Sequence, residues 1–87
     1  MQQTIQIQIK NKSGLHARPA GKLVQEAQKY DAELKIKYRD KEANAKSILD
    51  ILMLGVDFGS DLEVSATGSD ASKALNSICR FFEKGIE

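Results

Sequence analysis

Three stretches of this chain alternate apolar and polar side chains with a period of two. They are Ile5, Ile7 and Ile9 in TIQIQI, then Leu34, Ile36 and Tyr38, then Leu62, Val64 and Ala66. That period belongs to strands with one buried and one wet face. A fourth, shorter strand is predicted from Glu42 to Ala45, after a turn at Arg39, Asp40 and Lys41. Strands that are each half apolar make an open sheet, with helices on one side and water on the other.

Between the strands the period lengthens. From Ala17 to about Lys29, the residues Ala20, Leu23, Val24 and Ala27 share one helical face. Pro19 is tolerated only in a first turn, so it pins the start of this helix next to His16. Ser47 to about Leu54 suits a short helix, with Ser47 and Asp50 at capping-box spacing and Gly55 ending it. A last helix carries Ala71, Ala74, Leu75, Ile78 and Phe82 as its buried stripe. Ser69 is its expected N-cap and Gly85 its stop. The order is βαββαβα. It predicts an α+β fold, an open-faced two-layer β-sandwich with a four-stranded antiparallel sheet and three helices on one face.

Composition then narrows the function. The 87 residues suffice for one domain, residues 1–87, with a modest core. The net charge of +1 gives no overall pull toward nucleic acid or anionic membrane. No apolar run has the length for membrane insertion, and MQQTIQIQIK lacks the pattern of a secretory signal. Cys79 is the only cysteine, which favours a reducing, cytoplasmic location, and it is expected as a small buried filler.

The only histidine lies in SGLHARPAGK, Ser13 to Lys22. At the start of a helix the first N–H groups lack intrahelical acceptors. With Pro19 contributing none, the free donors are those of Ala17 and Arg18, and with the helix dipole they make an anion site. Arg18 adds a charged fork suited to phosphate oxygens, while Gly14 lets the chain turn sharply before the histidine. A neutral imidazole is a nucleophile. If His16 takes a phosphoryl group, no carboxylate in this stretch activates water against it, so a relay fits better than a hydrolase. The plainer reading is that His16 is a helix cap or a chance surface residue. A metal site lacks ligand spacing, and Ser13 has no third partner for a triad. Lys10, Lys12 and Lys22 flank this stretch as scattered lysines.

NAKSILDILMLG, Asn44 to Gly55, is the other informative segment. On a helical wheel Ile48, Ile51 and Leu52 point one way, with Leu54 beside Ile51, and are expected inward. Leu49 and Met53 point elsewhere, are expected exposed, and suggest a docking patch. The plainer alternative folds the 56–61 loop over them. Ser47 is an N-cap whose hydroxyl, beside Lys46, sits at the rim of that patch. Phosphate there would switch partners rather than melt the helix.

GLHARPA resembles the active-site signature of the HPr family, the histidine-containing phosphocarriers of the bacterial phosphoenolpyruvate:sugar phosphotransferase system. KSILDILMLG resembles the signature around the family's regulatory serine. The resemblance covers essentially the whole chain. It implies that His16 accepts a phosphoryl group on Nδ1 from Enzyme I and passes it to IIA domains of sugar permeases, with Arg18 and the Ala17 N–H supporting the phosphate. It implies that Ser47 matches the serine modified by an HPr kinase/phosphorylase, whose phosphorylated form meets a catabolite-control transcription factor. Leu15, Lys46, Leu49 and Met53 are the expected docking residues. No cofactor, metal or nucleic acid is implied, and a monomer is the simplest expectation. The chain departs from the family at Asp50, where many relatives carry glycine, and at Met53, where a smaller residue is common. An acid one turn from Ser47 would repel a phosphoserine. Two other readings remain, a regulatory binding module acting through Ser47 and a nitrogen-type phosphotransferase carrier. A small ligand-binding domain without phosphorylation is a third, and it has no use for Arg18 or an open helix end.

Overall fold

A computed structural model describes residues 2–10 and 14–84. Its elements run β1 (Gln2–Gln8), α1 (Ala17–Ala27), β2 (Glu33–Tyr38), β3 (Lys41–Asn44), α2 (Ile48–Met53), β4 (Asp61–Thr67) and α3 (Ala71–Glu83). The four strands form one antiparallel sheet in the order β1-β4-β2-β3. Ile5 pairs with Val64, Val64 with Ile36, and Ile36 with Ala43, so one apolar row crosses all four strands. Leu34, Ile36, Leu62, Val64 and Ala66 on that face are fully buried. Ile5, on the edge strand β1, is half-buried. The three helices cover the sheet: Pro19, Ala20, Leu23, Val24 and Ala27 of α1 are buried, as are Ala74, Leu75, Ile78 and Phe82 of α3. The alternation thus becomes the two-layer open-faced sandwich that the sequence predicts.

The element ends differ from the expectation for local reasons. The first ladder stops at Gln8, yet Ile9 stays buried, donating to the Ser60 carbonyl at 2.8 Å and accepting from the Gly59 N–H at 2.9 Å. The third strand ends at Asn44, and Ala45 reaches back to the Leu34 carbonyl at 2.9 Å. The first helix ends at Ala27 and tightens into i to i+3 bonds, Lys29 to Glu26 and Tyr30 to Ala27. Gly85, Lys12 and Ser13 lie outside the described residues.

Two expectations are corrected. Asp70, not Ser69, holds the N-cap position of α3, and its carboxylate caps nothing in its own helix. It accepts instead from the backbone N–H groups of Asp31 and Ala32, at 2.9 and 2.8 Å, and so clamps the approach to β2. Cys79 is half-buried rather than a core filler, with its Sγ 3.8 Å from Glu83 Oε2.

One polar contact ties the helices together. The buried Ser77 hydroxyl of α3 donates to Glu26 of α1, which also accepts from Lys29 at 3.0 Å. The Ser77 hydrogen bond first, and then that of Lys29, hold the Glu26 carboxyl below its ordinary range. A depressed carboxylate stabilises the fold above the unfolded pKa, and that contribution is lost as pH falls through the folded pKa. Stability is therefore expected to drop as pH falls below about 4.3. Ser77→Ala should lose stability at neutral pH and show a shallower acid drop, measured by urea midpoints across pH. Identical pH slopes for the two proteins would refute this linkage.

Candidate functional site: the N-terminus of the first helix

His16 is the N-cap of α1, with φ −93° and ψ −171°. Its carbonyl accepts the first intrahelical bond, from Ala20 at 3.0 Å. Its side chain makes no capping bond and lies at the surface, and the first turn holds no acid. Pro19, third in the helix, has no N–H to offer and is buried, which anchors the first turn to the core. Ala17 and Arg18 are exposed, and their N–H groups have no acceptor within the helix. Imidazole, guanidinium and two unused backbone donors therefore share the positive end of one helix.

Close backbone contacts hold this arrangement from the other side. Gly14 is buried with φ +68°, and a Cβ on it would overlap the Val56 carbonyl oxygen and lie 2.9 Å from the Asp57 Cα. The next residue, Leu15, donates its N–H to the same Val56 carbonyl at 3.1 Å. Leu15 is 4% exposed and belongs to the core, which corrects its expected role in docking. A leucine beside an exposed histidine reads as surface in sequence, but the turn at Gly14 swings it inward.

The second signature lies on α2, which packs against α1. Ser47 is its N-cap and accepts from the Asp50 N–H at 3.3 Å. The Asp50 carboxylate in turn accepts from the Asn44 N–H at 3.2 Å, so Asp50 braces the turn before the helix. The expectation that Ile48 and Leu52 point inward is corrected. Only Ile51 and Leu54 are buried, while Ile48, Leu49, Leu52 and Met53 are 45, 67, 37 and 69% exposed. A helix of six residues seats one narrow edge on the fold, so the wheel's inward arc is too wide. The Lys46 ammonium, expected at the docking rim, donates to the Tyr30 carbonyl at 2.7 Å and is turned back onto the fold.

Phe58, 61% exposed, escaped the sequence reading because it belongs to no periodic segment. Its signal was its context: an aromatic between Asp57 and Gly59 in a turn has no core face to join. Among the described residues no cluster of three His, Cys, Asp or Glu is placed to hold a metal, and no helix is long and apolar enough to cross a membrane.

The family model described as "PTS HPr component phosphorylation site" matches residues 3–84. The chain belongs to the HPr family of phosphotransferase-system phosphocarriers. Solved HPr structures superpose closely on it. HPr-C-His from Thermoanaerobacter tengcongensis is 39% identical with a TM-score of 0.93, covering 97% of this chain and 94% of its own. The phosphocarrier protein HPr of Bacillus anthracis is 37% identical with a TM-score of 0.89, covering 93% and 96%. A third similar structure is the Bacillus subtilis catabolite repression protein Crh, 31% identical over 93% of each chain with a TM-score of 0.77, which forms a swapped dimer. The sequence of the present HPr family member leads to the expectation of a monomer, so that relative sets its oligomeric state as a question for sedimentation.

Proposed function

We propose that His16 accepts a phosphoryl group from phospho-Enzyme I and passes it to the IIA domain of a sugar permease. The observation that carries this is the exposed imidazole at a helix N-terminus whose first two N–H groups are unused and whose first turn holds no acid. A ring nitrogen lone pair attacks phosphorus. The new N–P bond forms as the donor's bond to phosphorus breaks, and the donor atom keeps the electron pair. The phosphoryl oxygens then meet the N–H groups of Ala17 and Arg18 and the Arg18 guanidinium. Onward transfer repeats the displacement with His16 as leaving group. No carboxylate stands in the first turn to activate water, so the group survives until an acceptor arrives. The chain acts as a carrier rather than a turnover enzyme, needs no cofactor, and on this reading works in the cytoplasm. The experiment is incubation with phosphoenolpyruvate and Enzyme I, followed by intact mass. One acid-labile phosphoryl group is expected. No added mass, with a control carrier labelled in the same tube, would refute the reading.

Arg18→Ala is expected to slow transfer about 10- to 100-fold, the worth of a charged hydrogen bond. Its Tm should move little, because Arg18 is exposed. A large loss of Tm would contradict a role confined to the phosphate.

Regulation through Ser47 is the second part of the proposal. An ATP-dependent HPr kinase/phosphorylase would modify the Ser47 hydroxyl, and the phosphoserine would stand beside the apolar face of α2, where a catabolite-control transcription factor docks. That exposed face, together with the likeness to Crh, supports the alternative of a module acting mainly through Ser47. His16→Ala separates the two: it ends the carrier role and leaves a Ser47-driven interaction intact.

A further inference from the structure

Phe58 sits on an unusually well-fixed turn for so exposed an aromatic. The Ser60 N–H closes the turn onto the Asp57 carbonyl at 3.2 Å, and Gly59 takes the left-handed third position at φ +84°. Both flanks are tied down. Ile9 and the 59–60 backbone exchange two hydrogen bonds, and Leu15 donates to Val56 just before the turn. The Phe58 backbone is thus hydrogen-bonded in place on both flanks, the ring has only two torsions, and 61% of the residue faces water. Burying such a ring against a partner costs little ordering entropy and removes a large apolar area from water.

Its place relative to His16 follows from the same contacts. The Asp57 Cα lies against Gly14, two residues before His16, and Phe58 is one residue on. These steps keep the His16 and Phe58 Cα atoms within roughly 16 Å of each other. A protein that delivers a phosphoryl group must bring its own phosphorylated side chain to bonding distance of the His16 imidazole. An ordinary interface covers about 800 Å² on each partner, a disc of roughly 16 Å radius. The two Cα atoms are thus no farther apart than that radius, close enough for one partner to touch both residues. Tyr38 and Arg39 line the same open depression, with the Arg39 guanidinium 5.0 Å above the Tyr38 ring. Tyr38 itself is 7% exposed and belongs to the core, so the exposed groups here are the Phe58 ring and the Arg39 guanidinium, two residue types enriched at protein interfaces.

We propose that Phe58 is an apolar anchor for the protein that donates the phosphoryl group to His16, inserting its ring into an apolar pocket on that donor. The proposal rests on the carrier reading above. It assigns Phe58 to binding and not to chemistry, since the ring has no group that moves a proton or holds phosphate.

The test is the initial rate of transfer from phospho-Enzyme I, measured against carrier concentration for the wild type, Phe58→Ala and Phe58→Tyr. Phe58→Ala should raise KM about ten-fold or more and leave the maximal rate within about two-fold, as expected for an exposed anchor. Phe58→Tyr keeps the ring and should stay within about three-fold of the wild-type KM. Melting curves of all three should coincide, because the ring contributes little to the core. An unchanged KM for Phe58→Ala on a wild type that labels normally overturns the anchor and leaves the carrier reading standing. So does an unchanged KM accompanied by Phe58-dependent self-association in sedimentation, which assigns the ring to a second copy. Absence of label on the wild type, with the control carrier working, overturns both.

Discussion

Alanine in place of His16 is expected to take up no acid-labile phosphoryl group from phosphoenolpyruvate and Enzyme I. The effect should be complete within detection, because the chain has one histidine and no other imidazole can take over. Unfolding cannot account for such a loss. The His16 side chain is exposed and makes no capping bond, and its backbone carbonyl, which receives the Ala20 N–H, is kept in the variant. The stability change should stay within about 0.5 kcal/mol, as for an exposed position away from special contacts. Intact mass and a thermal melt on the same sample check both halves. Retained acid-labile phosphate would move the site away from the first helix. A melt that falls by many degrees would make His16 a structural cap after all.

Gly14→Ala is expected to produce the largest loss of stability among single-methyl additions near the site. Two costs combine. The backbone holds φ +68°, which an L-residue adopts at a cost of about 1 kcal/mol or more. The added Cβ would also overlap the Val56 carbonyl oxygen and crowd the Asp57 Cα, and both are backbone atoms of a pinned loop. Neither can step aside as a flexible side chain would. A loss of about 3 kcal/mol follows, on the scale of overpacking added to strain, and it lowers Tm by roughly 12–24 °C in a domain of this size. Functionally, the variant should transfer phosphoryl groups poorly even where it is fully folded. The Leu15 to Val56 bond and the angle at which the chain enters α1 both depend on that close approach. A near-normal melt with normal transfer would show that the 56–57 loop yields. It would also remove the main structural support for the placement of Phe58.

The two predictions draw on different parts of what a sequence encodes. His16, Arg18 and Pro19 were legible because their chemistry is local. A proline can stand only in a first turn, so it dates the start of the helix, and the start of a helix is an anion site wherever it occurs. The alternation of Ile36, Leu62 and Val64 was legible because a two-residue period has one structural meaning when one face is wet. The α2 face was only half legible. Six of the seven residues from Ile48 to Leu54 are apolar, and nothing local says which edge of so short a helix the rest of the protein will touch. Ile51 won that contact, and Ile48 and Leu52 were left in water.

By itself the sequence determined the element order, the half-buried sheet and the helix end that carries His16. Each depends on period, proline or capping within a few residues. Only the tertiary structure decided that Leu15 turns into the core, that Asp70 clamps the chain near Ala32 across 38 residues of sequence, and that the Asp57–Ser60 turn lies against the approach to α1. These are meetings between segments far apart in the chain. Their partners are chosen by which surfaces the packed sheet and helices bring together, and no local pattern records that choice.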